Sequence, residues 1–129
     1  MDLLRSVLFF IEENYKAGSG TSLSVHIDGY DDNVVYEHVQ LAYQSGLIGK
    51  TLDTSNLTSF SCFVGNLTNA GYDYLDKIRD DTVWNKTKEV IKKKGLPMVV
   101  DTIKTVATAL ITATAEGVAN AVLKNGGII

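Results

Sequence analysis

Residues 31–67 read DDNVVYEHVQLAYQSGLIGKTLDTSNLTSFSCFVGNL, and the pattern changes once within them. Val35, His38, Val39 and Ala42 recur at spacings of three and four, so residues 33–44 are expected to form a helix with one apolar stripe. Asp31 or Asp32 can cap its start. Ser45-Gly46 ends it, because glycine accepts the left-handed conformation that closes many helices. Leu47 and Ile48 then fold back onto the core. From residue 49 the helical spacing disappears. Phe60, Cys62 and Val64 alternate with Ser59, Ser61 and Phe63, the spacing of a strand. Residues 51–53 are its expected partner, with 54–56 at the tip. A strand, a tip and a strand after a helix make a wing.

The flanks extend this pattern. Leu3, Leu4, Val7, Leu8 and Ile11 put one stripe on a helix over residues 2–15. Residues 17–20 are a loop. Leu23, Val25 and Ile27 alternate with Ser22, Ser24 and His26, so residues 22–27 are expected to form a short, half-buried strand that Asp28-Gly29 turns. Thr68 or Asn69 caps a helix expected to run to about residue 94, where Gly95 stops it. Pro97 suits a first helical turn, so a last helix is expected over 97–124. The expected fold is α+β, mainly α. It has a winged-helix-like core (helix, short strand, helix, two-stranded wing, long helix) over 1–95 and a long C-terminal helix in 96–129.

Two stretches carry a resemblance. One is Tyr36-Glu37-His38-Val39-Gln40-Leu41 followed by Ser45-Gly46-Leu47-Ile48. The other runs from Leu67-Thr68-Asn69-Ala70-Gly71-Tyr72 to Ile78-Arg79-Asp80-Asp81-Thr82-Val83-Trp84. Over about residues 1–94 the chain resembles the family known as domain of unknown function 2513, found in bacteria and their phages. The Ile-Arg-Asp-Asp-x-x-Trp run is the specific part. Leu-Thr-x-x-Gly occurs in many winged-helix proteins. Asn69 stands where the family pattern often has an aromatic, and Tyr72 where it often has a histidine. The resemblance implies a winged-helix-like fold and a kind of host, and it carries no functional residue.

Composition narrows the function classes. Hydrophobic residues make up 45% of the 129 residues and charged ones 21%, which suits one globular domain and not a disordered chain. The single cysteine, Cys62, allows no internal disulfide and fits a reducing cytoplasm. A secretory signal is not expected: Arg5 is the one basic residue near the start, the apolar run 7–11 is short, and Glu12 and Glu13 follow it. The uncharged run 105–115 falls short of the roughly 20 residues a membrane span needs. No membrane association and a cytoplasmic location are the expectation.

Catalytic and metal chemistry find little support. His26 and His38 are the only histidines and Cys62 the only thiol, with no CxxC or HExxH spacing. A zinc site needs three or four clustered ligands. His38 lies on the apolar stripe and is expected as a hydrogen-bonded core histidine, and Cys62 as a packed core thiol. No GxGxxG or Walker pattern occurs. Neither an enzyme nor a bound cofactor is expected.

Charge decides between the binding classes. Residues 17–76 carry one cation, Lys50, against seven anions, a net −6. Residues 77–94 carry seven cations against three anions, a net +4. A winged helix that reads DNA puts its second core helix in the major groove, and non-specific affinity comes from cations that neutralise phosphates. Helix 33–44 instead presents Glu37, Gln40 and Gln44. With Trp84, for which a packed position joining its helix to the core is the competing reading, these residues are the candidate partner surface. The expected function is a non-catalytic interaction or regulatory module of a bacterium, phage or mobile element, with anti-defence as one role. Its partner is another protein or a second copy held through 97–124. There Ile103, Val106, Leu110 and Ala113 form a stripe, and Ala113, Gly117 and Ala121 are small residues at four-residue spacing. The alternative is a DNA-binding regulator dimerised by the same helix. Lys50, Lys86, Lys88, Lys92, Lys93 and Lys94 would supply its nucleic-acid contacts.

Overall fold

The computed structural model describes the backbone of residues 1–21, 23–53 and 62–125, and the side chains of these residues except 52, 53, 62 and 114–125. In chain order the elements are α1 (Asp2–Asn14), β1 (Leu23–Ser24), α2 (Asp32–Gln44), β2 (Thr51–Asp53), β3 (Cys62–Val64), α3 (Asn69–Ile78), α4 (Asp81–Lys93) and α5 (Val100–Asn125). The fold is α+β and mainly α. The chain divides into two compact units, Met1–Leu75 and Asp76–Ile129. This division differs from one at residue 95 because α4 packs with α5.

In the first unit, α1 packs on α2. The stripe expected on α1 is the one that is buried: Leu3, Leu4, Val7, Leu8 and Ile11. On α2 the buried side chains are Val35, Val39 and Ala42. The strands form one antiparallel sheet in the order β1-β3-β2. β2 and β3 pair from Thr51↔Val64 to Asp53↔Cys62. The tip expected at 54–56, and Ser59, Phe60 and Ser61, lie outside the described residues. β1 is shorter than the 22–27 expected. Among the described residues its ladder with β3 joins Leu23 to Val64 and Ser24 to Phe63. The alternation still holds beyond the ladder, with Val25 and Ile27 half-buried and His26 exposed.

The end of α2 and the start of α3 are bound to each other. Gly46 has φ +78°. Leu47 donates its N–H to the Ala42 carbonyl at 2.9 Å and Gly46 to that of Tyr43 at 3.0 Å, a Schellman closure. Thr68 donates its backbone N–H to the Leu47 carbonyl at 3.0 Å and its hydroxyl to the Gly46 carbonyl at 2.6 Å. The same hydroxyl oxygen accepts the Gly71 N–H at 2.9 Å, so Thr68 caps α3. An antiparallel bridge joins Ile48 to Leu67. Gly71 has no room for a side chain, because a Cβ there would overlap the Leu47 carbonyl oxygen. Asn69 and Tyr72, the two departures from the family pattern, are both exposed and lie off the core.

The single helix expected from residue 68 to about 94 is two helices. Asp80 has extended backbone, and its carboxylate accepts the N–H groups of Thr82 at 2.7 Å and Val83 at 3.2 Å. An aspartate that satisfies the first turn of a new helix ends the old one. Gly95, at φ +66°, ends α4 with a second Schellman closure, Leu96 donating to the Ile91 carbonyl at 3.1 Å. The last helix begins at Val100 and not at 97, which leaves Pro97 exposed in the connection. At 1.5 Å per residue, the 26 residues of α5 span about 39 Å and the 13 of α4 about 20 Å.

Two outcomes follow. Gly71→Ala should lower stability by about 3 kcal/mol, the upper end of the usual cost of overpacking. Thr68→Val should cost about 1–2 kcal/mol through the lost cap. Urea unfolding of the full chain measures both, and an unchanged midpoint for Gly71→Ala would show that α3 is not pinned there. Tyr74 is 1% exposed, and its burial pushes the phenol well above its ordinary value near 10. The unfolded chain releases this proton near pH 10 while the folded chain keeps it, so stability falls as pH rises above about 10 and goes on falling until the buried phenol itself ionises. Tyr74→Phe should flatten that fall. Identical slopes for the two chains would contradict it.

Candidate functional site

The buried stripe of α2 fixes which of its side chains point outward. Opposite Val35, Val39 and Ala42 stand Glu37, Leu41 and Gln44, all exposed, with Tyr36 and Gln40 half-buried beside them. Tyr36, Glu37, His38, Gln40, Leu41 and Gln44 line a shallow depression of about 370 Å³. Leu41 is 38% exposed and Tyr43 44%. Glu37, Gln40 and Gln44 therefore share one surface, as their spacing implies.

The charge of this surface follows from the sequence around it. Residues 17–49 contain no lysine or arginine. Lys50 is exposed but lines a different cleft, of about 290 Å³, with Tyr15, Gly20, Thr21, Gly49, Gly65 and Asn66. Across Met1–Leu75, three cations stand against nine anions, a net −6, and across Asp76–Ile129 nine stand against six, a net +3. The two compact units have opposite sign.

Trp84 does not belong to the candidate surface. It is 3% exposed, with the Lys88 ammonium 5.3 Å from its ring centroid. The Ile-Arg-Asp-Asp-x-x-Trp run thus encodes a helix break, its cap and a core anchor. Lys86, Lys92, Lys93 and Lys94 are exposed on or after α4. Lys93 pairs with Glu89 at 2.9 Å, and this bond holds the Glu89 carboxyl below its ordinary value.

The candidate oligomer helix is divided in its roles. Ile103 is buried within the chain, as is Ala107 from the neighbouring stripe. Val106 and Leu110 are half-buried and Ala113 is exposed. The side chains of Gly117 and Ala121 lie outside the described residues. Thr82, Val83, Lys86, Leu110 and Ala113 line a groove of about 400 Å³ on this unit.

The histidines take structural positions. His38 donates its Nδ1–H to the Val34 carbonyl at 2.8 Å, one helical turn back. His26 is exposed, with Nε2 3.3 Å from Asp28 and Nδ1 3.2 Å from Asp32. This tie between β1 and α2 is not legible in the sequence, because it depends on how the 28–31 turn folds. Among the described residues, no group of three or more His, Cys, Asp or Glu side chains could hold a metal ion. No helix among them is long and apolar enough to cross a membrane.

Comparison with known proteins adds a lineage. The model of the family described as "Hypothetical protein (DUF2513)" matches residues 1–97, a span that ends before α5. A relative from Haemophilus influenzae, described as an uncharacterized protein, is 40% identical over 111 residues. The match covers 86% of this chain and 92% of the relative. No solved structure matches.

Thr87 on α4 is fully buried, and its hydroxyl has no hydrogen-bond partner. Valine has the same shape without the desolvated hydroxyl. Thr87→Val should therefore raise stability, by about 1 kcal/mol. A lower urea midpoint in the variant would show that the hydroxyl is satisfied in solution.

Proposed function

This chain belongs to the DUF2513 family, and we propose that it is a non-catalytic protein-interaction module with a regulatory role. The carrying observation is the outer face of α2. In a winged-helix reader of DNA, the corresponding helix needs cations and amide groups aimed at the groove. Here the face offers Glu37, Leu41 and two glutamines on a unit of net charge −6. Phosphate would be repelled, and an exposed leucine ringed by polar side chains suits a protein contact. An anti-defence role in a phage or mobile element fits the same acidity, which can occupy a nucleic-acid-binding protein. α5 supports self-association as part of the proposal. It is about twice as long as the helix it packs on, and it carries little charge.

One observation favours a second reading. The exposed lysines of α4 lie on a unit of net charge +3, which is where a DNA-binding regulator of this fold would make phosphate contacts.

A gel shift on random duplex DNA across a salt series separates the two readings. The interaction module should give no shift at any salt. A complex that weakens steeply as salt rises would overturn it. Light scattering at micromolar concentration should give twice the 14.0 kDa chain mass, and a monomer there would remove self-association from the proposal.

A further inference from the structure

We propose that the outer face of α2 docks a cationic protein surface with an apolar centre. Leu41 is the anchor, and Glu37 supplies the charge beside it. The proposal rests on the interaction-module reading above and names the partner's chemistry.

The anchor comes first. Leu41 keeps 38% of its surface in water although α2 is packed on its other side. The depression beside Leu41 gives an incoming apolar side chain somewhere to sit.

Charge then selects the partner. The first unit has three cationic side chains, Arg5, Lys16 and Lys50. The Arg5 guanidinium lies over the Phe9 ring, 5.0 Å from its centroid, and Lys50 lines the other cleft. None of the three lines the depression on α2. Asp32 is engaged by His26, while Glu37 is exposed in the middle of the face. An acidic protein or a phosphate backbone meeting this surface would bring like charge to a face that offers no lysine or arginine. A lysine- or arginine-bearing surface gains attraction at long range and pairing at the rim.

The test is a titration of the isotopically labelled full chain, followed through its backbone amide resonances. The probes are a short amphipathic peptide of leucine and lysine, its leucine–glutamate counterpart and random duplex DNA. The lysine peptide should move the amides of Glu37, Gln40, Leu41 and Gln44. Its affinity should fall about fivefold as salt rises from about 0.05 to about 0.2 M. Leu41→Ala and Glu37→Gln should each weaken it by about fivefold, with unfolding midpoints unchanged because both residues are exposed. The proposal is overturned if the lysine peptide does not bind, if it moves amides elsewhere, or if the glutamate peptide binds equally well. If the α2 amides move when the chain alone is diluted, a second copy occupies the face. That result overturns this proposal and leaves the interaction module standing. DNA that moves them overturns both.

Discussion

The end of one helix and the start of another each leave backbone groups without partners, and in this fold the two ends satisfy each other. α2 finishes with the Gly46 and Leu47 carbonyls exposed by the left-handed turn, and α3 begins with N–H groups that need acceptors. Thr68 stands between them. Its N–H and hydroxyl serve the two carbonyls, and its oxygen serves Gly71. Gly71 is the only residue type that lets α3 come so close to Leu47. This junction also sets the mouth of the hairpin, through the Ile48–Leu67 bridge and the bond from the Gly49 N–H to the Asn66 carbonyl at 3.0 Å. Once α2 is held at this end and its inner stripe meets α1, its outer face has no freedom left. The candidate surface is thus a consequence of the junction.

The second unit repeats the device with different residues. Asp80 opens α4, and Gly95 closes it before the chain returns in α5. Lys92 and Lys93 fall in the last turn of α4, where the helix dipole favours cations, so part of the basic cluster serves the helix itself. The family match covers this helix and stops before α5. The acidic face and the basic helix of this chain both fall within the matched span.

Much of the fold was legible from spacing. The stripes of α1 and α2, the glycine stops at Gly46 and Gly95, and the positions of β2 and β3 all follow local rules. What escaped was set by partners distant in sequence. β1 pairs over two residues, fewer than its alternation suggests. The break at Asp80 was written in the Asp-Asp-Thr run, but apolar spacing continues across it and hides it. Trp84, legible both as a packed anchor and as a surface residue, takes the packed position. For the candidate site, the outward set Glu37, Gln40 and Gln44 came directly from the helical period. Leu41 was not singled out although the same period puts it opposite the stripe, because the polar residues of that face were the ones weighed. Val100, Ile103 and Ala107 are buried at spacings of three and four, so the inward stripe of α5 takes one residue from each of the two expected stripes.

Native-state hydrogen exchange tests the junction most directly. The amides of Leu47, Thr68 and Gly71 are the ones it holds. They should exchange only when the first unit unfolds as a whole, with the same denaturant dependence as the amide of Val39 in the core of α2. If these three amides exchange near the unprotected rate while Val39 remains protected, α2 is positioned without the junction, and the account of how its outer face is fixed is wrong.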